Sequence, residues 1–389
     1  MMFDGLRDFF DSVGSLPAYH WLLRFFVFYP IWSALVWVST ALLFYVRRER
    51  RHRDDVLGRT PSVTVLVRPG HPIRRTLAWA ARIDYPDYEI AVVDDGQSER
   101  TRELAHPYER RGLARLVPDE SLANLRGAIV LVLEAGACPD PKILRRLVPH
   151  FRAANVGAVI GNPRVANRVS FLAHLQVVEL ASVTSLIHRA QRVWGRVMTA
   201  PGGVVAYRKS ALVDTGHDRW VREPDTSWML QSTGYDVRYE PRAFAWIRVQ
   251  SDWAGVWRER RVRAAAFAHV LFAQAGVLTM WRQRRLWPVY LETALSTLWA
   301  CAFAGLTLFW LTSYALGVPP VGASPLPNWW AMMIATLSLS QILTGLVLES
   351  RYDRSVLSSL PMAIAYPLLW VVQSFAIALS TLTPKPAHR

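Results

Sequence analysis

Cysteine is nearly absent, with Cys138 and Cys301 the only two in 389 residues and far apart in the chain. A disulfide framework and a thiolate zinc site are thereby excluded. The chain also lacks internal repeats, low-complexity tracts and a small-residue cleavage site after its first apolar run, so that run is expected to stay attached. Acidic side chains are scarce too, 30 against 45 basic ones, for a net charge of +15. No nucleic-acid motif accompanies this excess, and much of the arginine flanks apolar runs. Membrane lipid headgroups are therefore the expected partner, and nucleic acid is not.

What the chain does have is apolar length. Hydrophobic residues make up 52% of it and the mean hydropathy is +0.14, above an ordinary soluble enzyme. The run Trp21 to Val46, broken only by Arg24, is long enough to span roughly 30 Å of hydrocarbon. Pro288 to Gly317, Trp329 to Leu348 and Leu360 to Leu382 are equally long. The expected organisation is an N-terminal segment 1–20, a first span 21–46, a domain 47–257, amphipathic interface helices 258–287, three spans within 288–383 and a tail 384–389. Arg47-Arg48-Glu49-Arg50-Arg51-His52-Arg53 follows the first span and places the domain in the cytoplasm by the positive-inside rule. A multi-pass protein of a bacterial-type inner membrane is expected. Glu292 and Gln341 are the notable polar groups inside the spans, thin material for an alternative transporter or lipid-binding reading.

The middle of the chain reads as α/β. Strand-like runs at Ser62 to Val67, Tyr88 to Val93, Ala128 to Leu133 and Val156 to Ile160 alternate with helical stretches such as Ile73 to Ile83, which predicts a mostly parallel sheet. The second run ends in Asp94-Asp95-Gly96, placing paired carboxylates at the strand's carboxyl edge, where open α/β sheets bind ligands. Phe171 to Val197 reads as a long helix along the membrane interface, broken near Gly195. Glu223-Pro224-Asp225-Thr226-Ser227 marks a helix start, and Arg258 to Gln274 an amphipathic helix rich in arginine at its beginning.

Several motifs carry a resemblance: Val92-Val-Asp-Asp-Gly96, Gly161-Asn-Pro-Arg164, Ala200-Pro-Gly-Gly203, Ser227-Trp-Met-Leu-Gln231, Tyr239-Glu-Pro241 and Glu349-Ser-Arg-Tyr-Asp353. In this order the chain resembles the membrane-embedded family 2 glycosyltransferases, specifically the poly-β-1,6-N-acetylglucosamine synthases. The resemblance implies a GT-A-type α/β domain plus transmembrane helices, a UDP-N-acetylglucosamine donor, Mg2+ or Mn2+ if the protein is active, and a possible small membrane subunit. It assigns Asp94 and Asp95 to the nucleotide, and Trp228, Arg260, Arg261 and Arg263 to acceptor and pyrophosphate. The candidate base is Glu223, with Asp225 the other candidate and a capping role as its plainer reading.

The pattern is unevenly kept. The family's Asp-x-Asp metal motif is here Glu134-Ala135-Gly136, leaving Glu134 as a single candidate metal ligand. Glu223 stands where the family has an aspartate, and one extra methylene moves a carboxylate by roughly an ångström, a misplacement that can cost about a hundredfold. The loop Val67-Arg-Pro-Gly-His-Pro72 is short, and the stretch 117–128 leaves no room for the phosphate-side helix. Two readings follow. In one, the protein is a non-catalytic subunit of exopolysaccharide assembly, pairing with an active synthase or a small membrane protein. In the other, it is a diverged, working inverting transferase using Asp95 and Glu223.

Overall fold

The computed structural model describes residues 12, 13, 15–50, 60–70, 72–94, 99–198, 204–216, 225–318 and 329–383. Eight strands form one sheet: β1 (Val63–Val67), β2 (Tyr88–Val93), β3 (Ala114–Val117), β4 (Ile129–Leu133), β5 (Cys138–Pro139), β6 (Val156–Val165), β7 (Val205–Arg208) and β8 (Asp236–Ile247). Their spatial order is β3-β2-β1-β4-β7-β6-β8-β5. The first four lie parallel, β7 runs antiparallel between β4 and β6, and β8 returns parallel to β6. All four strands expected from apolar runs are present.

Those runs are uninterrupted because β1 and β4 are buried on both faces. Val63, Val65 and Val67 point to one side, against α2 (Ile73–Ala80) and, after the short α3 (Glu99–Glu109), α4 (Ile143–Leu147). Leu66, Val130 and Val132 point to the other, where Tyr207, Leu212 and Leu230 complete the core. Leu212 and Leu230 come from two short helices, and the lettered order continues through the membrane part: α5 (Phe171–Val178), α6 (Ser185–Trp194), α7 (Lys209–Asp214), α8 (Asp225–Ser232), α9 (Trp253–Ala273), α10 (Trp287–Ala315), α11 (Trp329–Ser350) and α12 (Met362–Leu382). The first helix, α1 (Pro17–Phe44), precedes the sheet and runs on as a π-helical turn, Tyr45–Glu49.

Among the described residues six helices are long and apolar enough to cross a membrane, two more than the four apolar runs suggested. The additional two are Phe171–Trp194 and Trp253–Thr279. Phe171–Trp194 differs from the rest, since 61% of its apolar window is buried in protein against 17–28% for the other five. It is a hub rather than a helix lying free at an interface. Trp37 and Ala41 of α1 pack on Leu186 and Ala190, and the Trp37 and Trp194 rings stack with centroids 4.7 Å apart. Ile342 and Leu346 of α11 pack on Val177 and Val178, while Leu369 of α12 meets Leu172 and Leu175.

Between α5 and α6 the hub widens into a π-helical turn, Glu179–Thr184. There Gly345 of α11 approaches so closely that a Cβ on it would lie 2.4 Å from Ser182 Cα. Small residues permit such backbone crossings between apolar helices, and any side chain at 345 would push α11 away. The hub ends at Gly195, whose φ of +88° supplies the left-handed turn. That break is where the sequence pattern placed it. Cys138 and Cys301 are both free.

Candidate functional site

The parallel half of the sheet sends β1, β2 and β4 to a common carboxyl edge, and the candidate donor-side groups meet there. Asp94 follows β2, its N–H donating to Val117 O at 2.8 Å and its carboxylate paired with Arg102 of α3. Asp95 and Glu223 lie outside the described residues, as does the Pro201-Gly-Gly203 turn. Glu134 follows β4, and its carboxylate accepts from Arg68 Nη1 at 2.8 Å. Arg68 follows β1, and Glu120 Oε1 stands 3.1 Å from its Nε. A guanidinium clamped by two glutamates thus sits at this edge, a group the sequence presented only as part of a short loop.

The two loops that carry Arg68 and Glu134 are locked together. Gly70, at φ +149°, leaves so little room that a Cβ would come 2.9 Å from Ala135 Cβ. Gly136 donates its N–H to Thr76 Oγ1 of α2 at 2.8 Å, has φ +90°, and would place a Cβ 3.2 Å from Pro72 Cδ. A second carboxylate at position 136 therefore meets both backbone strain and Pro72. Among the described residues the side chains here do not make a divalent-cation site, since Glu134 and Glu120 both face the Arg68 guanidinium. No cluster of three His, Cys, Asp or Glu able to hold a metal occurs among the described residues.

The shortened segment before β4 is tied down in its own way. Glu89, at the start of β2, accepts from Thr64 Oγ1 at 2.8 Å and from the Arg126 N–H at 3.0 Å. Burial pushes the Glu89 carboxyl up, but these bonds and the Arg115 charge hold it below the ordinary range. A Cβ on Gly127 would lie 2.2 Å from Thr64 N, so the chain presses directly onto β1. Between β3 and β4 the segment forms a strap whose only helical element is a 3-10 turn at Leu122–Asn124.

The residues assigned to acceptor and pyrophosphate are dispersed. Asp225 opens α8, and Trp228 on the next turn is 1% exposed, packed among Met198, Val270 and Tyr290. Its indole Nε1 has no hydrogen-bond partner among the described residues. Arg260 is buried in a two-pronged pair with Glu179 of the hub's π-turn and donates to Gln373 of α12 at 3.2 Å. Arg261 is half-buried, its carbonyl accepting from Ser380, and Arg263 pairs with Glu259 one turn earlier at 2.5 Å. The structure thus brings Asp94 and Glu134 to one edge, and Arg260 to a helix junction instead.

A second polar assembly was not foreseen. Arg189 of α6, fully buried, contacts Glu49 at 2.8 Å and Glu349 at 2.8 Å. Glu349 also accepts from Asn162 Nδ2 at 2.8 Å and lies 3.4 Å from Arg164, while Arg168 pairs with Asp353 at 2.7 Å. Tyr352 Oη donates to Glu49 at 2.6 Å. The Gly161-Asn-Pro-Arg164 and Glu349-Ser-Arg-Tyr-Asp353 motifs therefore meet, joining β6 to the ends of α1 and α11. Their separation in sequence hid the pairing.

Comparison with known proteins agrees with this architecture. Residues 63–216 match Glycosyl transferase family 2. The chain is 25% identical over 387 residues to a poly-beta-1,6-N-acetyl-D-glucosamine synthase of Staphylococcus epidermidis, covering 92% of this chain and 93% of that one. A poly-beta-1,6-N-acetyl-D-glucosamine synthase of Staphylococcus aureus (strain COL) is 29% identical over 303 residues, 71% of this chain and 73% of that one. Among solved structures, the mannosyltransferase PcManGT from Pyrobaculum calidifontis in complex with GDP-Man and Mn2+ superposes with a TM-score of 0.57 at 19% identity, covering 93% of this chain and 99% of that one, a likeness of fold. Residues 63–216 thus match the family 2 glycosyltransferases on a GT-A-type fold, and the chain, with six helices long and apolar enough to cross a membrane among the described residues, is similar to the poly-β-1,6-N-acetylglucosamine synthases over most of its length.

Proposed function

We propose that this protein serves exopolysaccharide assembly as a non-catalytic structural or regulatory subunit, its glycosyltransferase domain on the cytoplasmic face of a bacterial-type inner membrane. The observation that carries this is the Arg68–Glu134 contact of 2.8 Å beside a left-handed Gly136. A departing nucleoside diphosphate needs its charge neutralised, which a divalent ion does when carboxylates hold it. Here the one carboxylate at that strand end is engaged. The buried Arg189 network ties the domain to its helices, as expected of a chain whose task is assembly. An active synthase or a small membrane protein is the partner, with membrane lipids around the spans and a nucleotide sugar as the ligand the domain retains.

A second reading has one observation in its favour. Arg68 is itself a fixed positive charge at the sheet edge, able to stabilise a leaving diphosphate without metal. On that reading the chain is a diverged inverting transferase with Asp95 and Glu223 in its site, and Mg2+ or Mn2+ is dispensable.

One experiment separates the two. UDP release from UDP-N-acetylglucosamine is measured on the purified full chain with Mg2+, with Mn2+ and with chelator, beside Asp95→Ala. No release above that variant, from protein with an intact melting transition, supports the subunit. Release that survives chelation supports the second reading, and release that requires metal overturns both accounts of Arg68.

A further inference from the structure

A cavity of about 310 Å3 opens between β8 and the ends of α1 and α11. Its wall includes Phe44, Arg48, Arg192, Arg238, Arg242 and Tyr352. Phe44 and Arg48 belong to the end of α1 and its π-turn, and Tyr352 follows the end of α11, so the cavity sits where two apolar helices leave the hydrocarbon. The far wall is made by an irregularity in β8. Ile160 pairs with Tyr239 but Asn162 pairs with Phe244, so Glu240, Pro241, Arg242 and Ala243 stand opposite Gly161 alone. Pro241 cannot donate to a ladder, and its carbonyl instead accepts from Asn162 Nδ2 at 3.2 Å. A Cβ on Gly161 would lie 2.5 Å from Ala243 O, so the bulge requires glycine there. The Tyr239-Glu-Pro241 motif builds this wall.

The charges around the cavity do not cancel. Arg192 holds Asp236 with contacts of 2.7 and 3.0 Å, and Arg238 reaches the same carboxylate at 3.1 Å. Glu240 is shared by His150 at 2.9 Å and Arg242 at 2.9 Å, and Glu49 is matched by the buried Arg189. Five guanidiniums, from Arg48, Arg189, Arg192, Arg238 and Arg242, thus meet three carboxylates, from Glu49, Asp236 and Glu240, with Glu349 balanced by Arg164. Among the described residues two positive charges remain. Arg48 and Arg238 both lie within repulsive reach of Arg192. Arg48 is exposed, at the rim.

We propose that this cavity binds a phosphate-bearing anion, drawn from an anionic lipid headgroup or from soluble phosphate. Guanidiniums offer paired donors matched to phosphate oxygens, and basic pockets beside helix ends at the membrane surface take anionic headgroups. The apolar Phe44 and the rim on α1 are placed for an acyl-bearing ligand, and the wall of β8 for its headgroup. The site is separate from any sugar transfer, so it is tested whatever the outcome of the UDP assay.

The test uses detergent-purified full chain titrated with phosphatidylglycerol or phosphatidylcholine, followed by melting temperature and by lipid retention in native mass spectrometry. Phosphatidylglycerol is expected to raise the melting temperature and to be retained. Arg48→Glu, at a side chain with no hydrogen bond or ion pair among the described residues, should weaken the apparent affinity roughly tenfold or more, and Arg47→Glu, on the same turn but outside the cavity, should leave it unchanged. In a parallel arm inorganic pyrophosphate is added in phosphatidylcholine. A shift there that Arg48→Glu abolishes, without one from phosphatidylglycerol, identifies the soluble source. Equal weakening by Arg47→Glu and Arg48→Glu would show only diffuse surface charge and overturn the site, as would the lack of any shift in both arms.

Discussion

Two arginine–glutamate contacts of the same 2.8 Å length, one between the loops after β1 and β4 and one between α6 and the end of α1, do different work. At the carboxyl edge, Arg68 and Glu134 are 18% and 40% exposed and carried on loops. Toward the membrane, Arg189 and Glu49 are 0% and 2% exposed, and each is held by further partners on other elements. Solvent screens the first pair and leaves it worth little. The second has no water to fall back on, so its members are indispensable to one another. The difference teaches that assembly of the domain onto its helices is built more rigidly than the edge where chemistry is expected.

Removing the centre of the buried network should have the largest effect. Arg189→Met leaves Glu49 and Glu349 without their shared cation and is expected to cost about 3–5 kcal/mol, seen as loss of the cooperative melt in detergent. Adding Glu49→Gln and Glu349→Gln should restore much of it, and failure to do so would mean packing, not charge, holds the junction.

Next comes pH. Glu240 is buried, and although burial pushes its carboxyl up, hydrogen bonds from His150 and Arg242 bring it to about 2 from an ordinary 4.5. The unfolded chain therefore takes up this proton first, so the contribution is complete above pH 4.5 and is lost as pH falls toward 2. It amounts to ~3 kcal/mol. Melting temperature should fall over that window, and Glu240→Gln should flatten the slope; an unchanged slope would assign acid lability elsewhere.

The smallest change is expected at the edge. Glu134→Gln leaves Arg68 facing Glu120 and should cost less than about 1 kcal/mol, so its melt should overlay the parent. A large drop would show that the edge is as firmly built as the membrane side and would dissolve the contrast.

Much of this was legible. β1, β2 and β4 announced themselves as short apolar runs because they are covered on both faces, and the four longest apolar runs became helices α1, α10, α11 and α12 within a few residues. β8 was hidden: Asp236 to Arg242 alternates charges with apolar residues and carries Pro241, which reads as loop until β6 is seen beside it. The hub was expected along the membrane interface, and its local pattern did not record that Glu179 and Arg189 face Arg260 and Glu49. Of the site, the placement of Asp94 and Glu134 at one edge followed from strand order. The role of Arg68 did not, since it depends on two loops whose contact no local pattern records.

The left-handed turn at Gly136 also makes this corner hard to re-engineer. A second carboxylate placed after β4 at position 136 meets backbone strain and Pro72 together, and a shorter acid at 134 would draw back from Arg68. The loop therefore behaves as a latch, whose shape is set before any side chain added to it can act.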